Sequence, residues 1–233
     1  MALRCYLAMT AAEMGSAEVI PAFPGWMACH FSSYGLGLSN LPASLPEGAM
    51  VILNDRTPIH GHDPALILDQ LSALLEQQKP GCFLLDFQRP GQAQTAAVAK
   101  CLTEQLPCPV AVTEYYAGAL SCPIFLPPPP LHIPLAEHLS PWEEREIWLE
   151  AATDAETITV TAEGSRFAPT VIETLDEPIF TDSTLHCRYH ISLTEEAAVF
   201  TLLREGPELT ALLAEAETLG VTQAVGLYQQ LKL

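Results

Sequence analysis

The sequence predicts an α/β fold: a compact (β/α)8-like TIM barrel in which some crossover helices are replaced by loops. Three observations carry this. Through the first half of the chain, short apolar runs alternate with stretches of helical periodicity, the pattern of parallel strands joined by helical crossovers. About eight strand-like runs can be counted, and polar residues recur at their carboxyl ends. The length, 233 residues with 49% hydrophobic and 16% charged content, is enough for one well-buried core near the lower size limit of a barrel. An open doubly wound parallel sheet is the alternative that the same pattern allows.

The elements follow in chain order. Strands are expected at residues 3–9, 27–33, 49–54, 82–87, 110–114 and 123–126, each short and mostly apolar, as strands buried on both faces should be. The helix after the third strand starts at Asp63 as N-cap with Pro64 in first position, carries Leu68, Leu71, Leu74 and Leu75 on one stripe, and stops at Pro80. The next helix, 92–105, is rich in alanine with Val98, Cys101, Leu102 and Leu106 at helical spacing. Residues 127–130 are four prolines, which favour an extended loop without backbone donors. Lacking flanking basic residues, this segment reads as a rigid βα loop rather than a ligand for a proline-binding domain. Ser140, Pro141, Glu143 and Glu144 signal a helix start, while 147–152 and 157–161 suggest a β-hairpin, inserted at 147–161 into a single domain spanning 1–233. The tail reads as a strand at 187–193, a helix capped by Thr194 and ending at Gly206, a helix over 207–219 stopped by Gly220, and a last strand at 222–228.

Composition narrows the function. Acidic residues outnumber basic by 28 to 10, a formal charge of −18, so phosphate backbones and anionic lipid surfaces are repelled and nucleic acid is not an expected partner. No window approaches a membrane span, and the amino-terminal run lacks a signal-peptide core. Seven scattered cysteines without a C-x-x-C pair read as reduced core thiols, which points to a cytoplasmic protein. No P-loop, G-x-G-x-x-G or G-x-S-x-G is present, and Tyr34-Gly35-Leu36-Gly37-Leu38 reads as a turn. No cofactor is expected.

In parallel α/β folds, ligand-facing residues stand at the carboxyl ends of strands. Those positions hold His30 and Ser32; Asn54, Asp55 and Arg56; Asp86, Gln88 and Arg89; Glu114, Tyr115 and Tyr116; and Tyr228 with Gln229. His30, Arg56, Gln88, Arg89, Tyr115, Tyr116 and Tyr228 are the candidate ligand-binding residues. Trp26, Tyr34 and Phe87 add aromatic faces of the kind that stack on sugars. His60 and His62 flank a glycine before Asp63 and raise the question of a metal, but Asp63 is committed as a helix cap and no second ligand cluster has a recognisable spacing, so no metal site is assigned. His186 and His190, four apart in a strand, share a face without reaching one ion.

The fourth strand and its loop, Phe83-Leu84-Leu85-Asp86-Phe87-Gln88-Arg89-Pro90-Gly91, resemble the fourth-strand signature of glycoside hydrolase family 18, the chitinase-like barrels, whose pattern is D-x-x-D-x-D-x-E with an aromatic before the Glu and Tyr-Pro-Gly after it. Asp86 falls on the last Asp, Phe87 on the aromatic, and Pro90 with Gly91 on the Pro-Gly. The strand Ala224-Val225-Gly226-Leu227-Tyr228 resembles the family's aromatic-ended eighth strand, whereas its Tyr-Asp element is not evident at 122–127. The resemblance implies a sugar-binding barrel in which the Glu is the acid and the neighbouring Asp orients the sugar's acetamide, the acetamide itself being the nucleophile. Here Leu84 stands at the middle Asp and Gln88 at the Glu. An amide donates a hydrogen bond but delivers no proton to a leaving oxygen, so the resemblance implies a degenerate barrel, a pseudoenzyme, binding a carbohydrate-like or other small polar ligand at the strand ends. Two alternatives stand beside it. One is an active hydrolase with Glu114 as acid, Asp86 as base or nucleophile and Asp55 in support, which requires a carboxyl pKa strongly raised in a cleft. The other is a scaffold whose acidic surface and proline segment meet a protein partner.

Overall fold

The structure, a computed structural model, describes residues 2–33, 36–57 and 61–231; Tyr34, Gly35 and His60 lie outside them. Eight parallel strands close into a barrel: β1 (Arg4–Met9), β2 (Pro24–Phe31), then, beyond the two-residue β3 (Leu38–Ser39), β4 (Met50–Asn54), β5 (Cys82–Asp86), β6 (Val110–Thr113), β7 (Ile124–Leu126) and β8 (Ile147–Glu150), and finally β14 (Gln223–Leu227). Closure is made by β1, which pairs with β14 from Arg4↔Gln223 to Ala8↔Leu227 and with β2 from Leu7↔Pro24 to Met9↔Trp26. The architecture is thus a (β/α)8-like barrel, with β3 added antiparallel at the end of β2.

Helices are fewer than eight among the described residues: α1 (Ala11–Ser16), α2 (Pro64–Gln78), α3 (Ala93–Gln105), α4 (Glu114–Ala117), α5 (Leu135–Leu139) and α6 (Gly206–Thr218). None is long and apolar enough to cross a membrane. The α2 start is as its sequence dictates: Asp63 accepts from the Ala65 N–H at 2.9 Å and Pro64 occupies the first turn. Ile67, Leu71 and Leu74 are buried on its inner stripe, and α3 buries Val98, Ala99 and Leu102.

Strand period divides the barrel's side chains into two sets. Phe83 and Leu85 of β5, like Val51 and Leu53 of β4, point out to the α2 and α3 stripes. The alternate residues Tyr6, Ala8, Met50, Ile52, Cys82, Leu84, Ala111, Phe125, Trp148 and Val225 fill the interior. Leu84, at the position of the middle family Asp, is therefore an interior packing residue, 1% exposed.

Between β8 and β14 the chain builds a second, antiparallel sheet from β9 (Asp154–Thr161), β10 (Gly164–Pro169), β11 (Ile179–Asp182), β12 (Cys187–Leu193) and β13 (Ala197–Arg204), in the order β10-β9-β13-β12-β11. Three sequence expectations are corrected here. Residues 147–152 and 157–161 do not form a hairpin. Ile147–Glu150 is the seventh barrel strand, parallel to β7 and β14, while β9 turns back onto β10 through Thr161↔Gly164. The helix expected from Thr194 to Gly206 is strand β13. Thr194 closes a tight turn, its N–H and hydroxyl both donating to the Ala197 carbonyl, and Val199, Phe200 and Thr201 favour the pleat over a helix. The run at 187–193 is a strand, but of the second sheet, so the expected total of eight is met with a different seventh member.

The inserted sheet packs on the loop after β7, where Leu131 is buried with Cys187 and Leu202. Arg204, fully buried, donates to the carbonyls of Leu185, His186 and Pro129. The proline segment is thus pinned to the inserted sheet.

Candidate functional site

Following the interior parity one pleat upward brings two acids to the barrel mouth: Asp86 after Cys82 and Leu84, and Glu150 after Trp148. Both line a cavity of about 110 Å³ whose floor and walls are Ala8, Met27, Ile52, Leu84, Phe125, Val225, Gly226 and Leu227, with Gln88 at its edge. Gly226 is needed there, because a Cβ would stand 2.4 Å from the Ala151 carbonyl oxygen. An adjoining cavity of about 50 Å³ shares Gln88, Phe125 and Glu150 and adds Thr113, Glu114, Tyr115 and Pro127. Gln88 and Glu150 therefore bridge Asp86 on one side and Glu114 on the other. Both cavities fall well below the several hundred Å³ of a drug-sized pocket, so they accept one group of a ligand rather than the whole.

The loop after β5 is held from several directions. Asp55, buried, accepts from the Gln88 N–H at 3.1 Å on one carboxylate oxygen and from the Arg89 N–H at 2.9 Å on the other. The Thr113 hydroxyl donates to the Phe87 carbonyl at 2.7 Å, and the Tyr116 hydroxyl donates to the Arg89 carbonyl. Phe87 itself is fully buried between Phe31 and Tyr116. With its backbone fixed, Gln88 turns its side chain inward, and its Nε2 donates to Asp86 Oδ1 at 2.6 Å.

The electrostatics of the two acids differ. Burial raises the Asp86 carboxyl, Asp55 adds to the rise, and the Gln88 amide opposes it by bonding the ionised form. For Glu150 every influence has one sign: burial first, then the carboxylates of Asp86 and Asp154, push it up to about 7. It is the strongly raised carboxyl in a cleft that an acid catalyst requires.

The other sequence candidates separate by position. Glu114 is at the flank, in α4; burial holds the His138 imidazole below its ordinary value against the upward pulls of the Pro127 carbonyl and then of Glu114. Tyr115 is half exposed over the smaller cavity. Asp55 and Tyr116 are committed to the loop backbone rather than open to a ligand. Arg89 places Nη2 on the Arg56 carbonyl at 2.8 Å, and among the described residues neither arginine is ion-paired to the rim acids. His30 Nδ1 lies 2.9 Å from the Ala28 carbonyl oxygen, away from the lining of either cavity. Tyr228 lines a separate open groove with Glu13, Ser16 and Gln229. His62 is buried with Nε2 3.2 Å from the Ser32 carbonyl oxygen and its ring against Phe31.

Sequence reasoning missed Glu150. The signal was present: Ile147-Trp148-Leu149-Glu150, a short apolar run ending in an acid, has the same form as Leu84-Leu85-Asp86, but pairing it into a hairpin hid the strand end.

Among solved structures, the class V chitinase of Nicotiana tobaccum superposes with a TM-score of 0.59 at 9% identity, covering 97% of this chain and 93% of that one. A GH18 chitinase of Cycas revoluta gives 0.57 at 8% identity over 97% and 95%, and the C-terminal domain of a chitinase-like protein from Desulfitobacterium hafniense 0.57 at 10% over 100% and 95%. The fold is that of the family 18 chitinases. No protein-family description and no curated protein matches the chain in sequence. On the chitinase fold, Asp86 and Gln88 sit at the fourth barrel strand, where the sequence resemblance located them, and Glu150 at the seventh.

Proposed function

We propose that the barrel mouth binds a carbohydrate-like or other small polar ligand at the strand ends, and that the acid step at position 88 has been lost. One observation carries the reading: Gln88 stands in the acid's place with its amide donated to Asp86 Oδ1 at 2.6 Å, an arrangement that orients polar groups without supplying a proton. The Cycas and Nicotiana proteins are described with a bound tetramer of N-acetylglucosamine and with a glutamate replaced by glutamine, which supports ligand binding on this fold without the acid. An open cavity at the mouth favours binding over a scaffold role with a plugged barrel. The charge of −18 argues against nucleic acid, and seven free cysteines support a cytoplasmic setting. Titration with the N-acetylglucosamine tetramer and a panel of neutral oligosaccharides, followed by NMR, tests the reading. Shifts centred on Asp86, Gln88 and Glu150 are expected, and Asp86→Ala should remove them. Absence of shifts across the panel would reject it.

The active-hydrolase reading also has a specific observation in its favour, the second carboxyl in the Asp86 cavity, and that carboxyl is Glu150 rather than Glu114.

A further inference from the structure

We propose that Glu150 is a replacement proton donor, moved from the fourth to the seventh barrel strand, and that with Asp86 it makes the mouth a two-carboxylate site for hydrolysing glycosidic bonds. The inference rests on the reading that a carbohydrate-like ligand enters this mouth.

The argument is geometric first. Glu150 is the next inward residue after Trp148, whose ring is fully buried in the barrel and whose Nε1 donates to Glu146 at 3.1 Å. The strand is paired to β14 as far as Val225↔Glu150, and the Glu150 carboxyl shares one cavity with Asp86, three strands away around the ring. Paired carboxylates flanking the scissile bond are the general requirement for this chemistry, one protonated and one ionised. The surroundings distribute those roles. Burial raises Asp86, and the Gln88 amide on Oδ1 opposes that rise by bonding the ionised form. The carboxylates around Glu150 are Asp86 from β5, Asp154 from β9 and Glu114 across the smaller cavity, and its polar neighbours there, Gln88, Thr113 and Tyr115, carry no positive charge. Both carboxyls are raised; the one whose ionised form has an amide donor on it takes the base's role and the other the acid's.

In the proposed step Glu150 gives its proton to the bridging oxygen as the bond from the anomeric carbon to that oxygen breaks, the electron pair leaving with the oxygen as an alcohol. A water molecule adds to the anomeric carbon and loses a proton to Asp86, which returns it to Glu150. The sum is one acetal and one water converted into a hemiacetal and an alcohol.

The test uses the full chain with two probes, the N-acetylglucosamine tetramer and 4-nitrophenyl β-glycosides. Wild type should cleave both, with the rate falling as pH rises through about 7. Glu150→Gln should lower kcat on the tetramer by about 100-fold or more and lose the pH limb, with a smaller loss on the 4-nitrophenyl substrates, whose leaving group departs without protonation. Glu150→Asp, which keeps the acid, should fall between, and Glu114→Gln should keep the pH limb whatever it does to the rate. Wild type that binds the tetramer by NMR yet cleaves neither probe overturns the inference and leaves the binding reading standing. Wild type that neither binds nor cleaves overturns both. Cleavage unchanged in Glu150→Gln, or a pH limb that survives in Glu150→Gln and vanishes in Glu114→Gln, also overturns it.

Discussion

The carboxyl ends of β5 and β8 open onto one cavity yet are built in opposite ways. After β5, nearly every polar group is spent on the loop: Asp55 takes two backbone N–H groups, Thr113 and Tyr116 supply donors to two carbonyls, and Gln88 satisfies Asp86. At the end of β8, burial first and then the carboxylates of Asp86 and Asp154 push Glu150 up to about 7. The comparison teaches that a motif legible in sequence and a strongly raised carboxyl need not share a strand. The β5 rim ties its polar groups into hydrogen bonds, while the β8 rim holds the carboxyl raised to about 7.

The comparison can be broken first at Asp55. Asp55→Ala strips acceptors from the Gln88 and Arg89 N–H groups together, and leaving them unpaired is expected to cost about 3 kcal/mol, read from urea unfolding. A loss under ~1 kcal/mol would mean the β5 loop is not held as described. Next comes Glu150→Gln. A carboxyl whose folded pKa is raised stabilises the fold fully below its ordinary value of 4.5 and loses that contribution as pH climbs through about 7. The variant should therefore gain on wild type by ~2 kcal/mol between pH 5 and pH 8, after discounting for partial exposure. A stability difference that does not vary with pH would contradict the account of the β8 rim. Thr113→Val keeps the shape and removes the donor to Phe87, for an expected loss of about 1 kcal/mol; no change would show that the Phe87 carbonyl finds another donor. The smallest effect on stability belongs to Tyr115→Ala, within about 0.5 kcal/mol because the ring is half exposed, while binding of the N-acetylglucosamine tetramer weakens. Equal affinity would remove Tyr115 from the ligand surface.

Much of the barrel was legible because strands buried on both faces announce themselves by unbroken apolar runs. The helices α2 and α3 were legible because Asp63, Pro64 and the leucine stripe have local meanings. The inserted sheet was not, since Ala197–Arg204 carries alanines and leucines that suit a helix as well as a strand, and only pairing with β9 and β12 decides between them. The site was read in part. Asp86, Gln88, Glu114 and Tyr115 do gather around two adjoining cavities, whereas Asp55, Tyr116, His30 and Tyr228 are at strand ends but turned to other work. Strand position names the rim; which rim residues face inward depends on pleat parity and on backbone groups needing partners, and these emerge only with the loops in place.

Arg204 gives the proline segment a further meaning. Four successive prolines offer carbonyl oxygens and no N–H groups, so their donors come from other residues: Pro130 takes the Ile133 N–H at 3.0 Å within the loop. Pro129 borrows from Arg204 of the inserted sheet, and Pro127, a wall of the smaller cavity, has its carbonyl oxygen 3.0 Å from Nε2 of His138. The insertion is thus a supplier on which the mouth depends. A minimal barrel made by excising residues 154–204 would lose Arg204 and with it one fixed point of the loop after β7, two residues from the Pro127 wall.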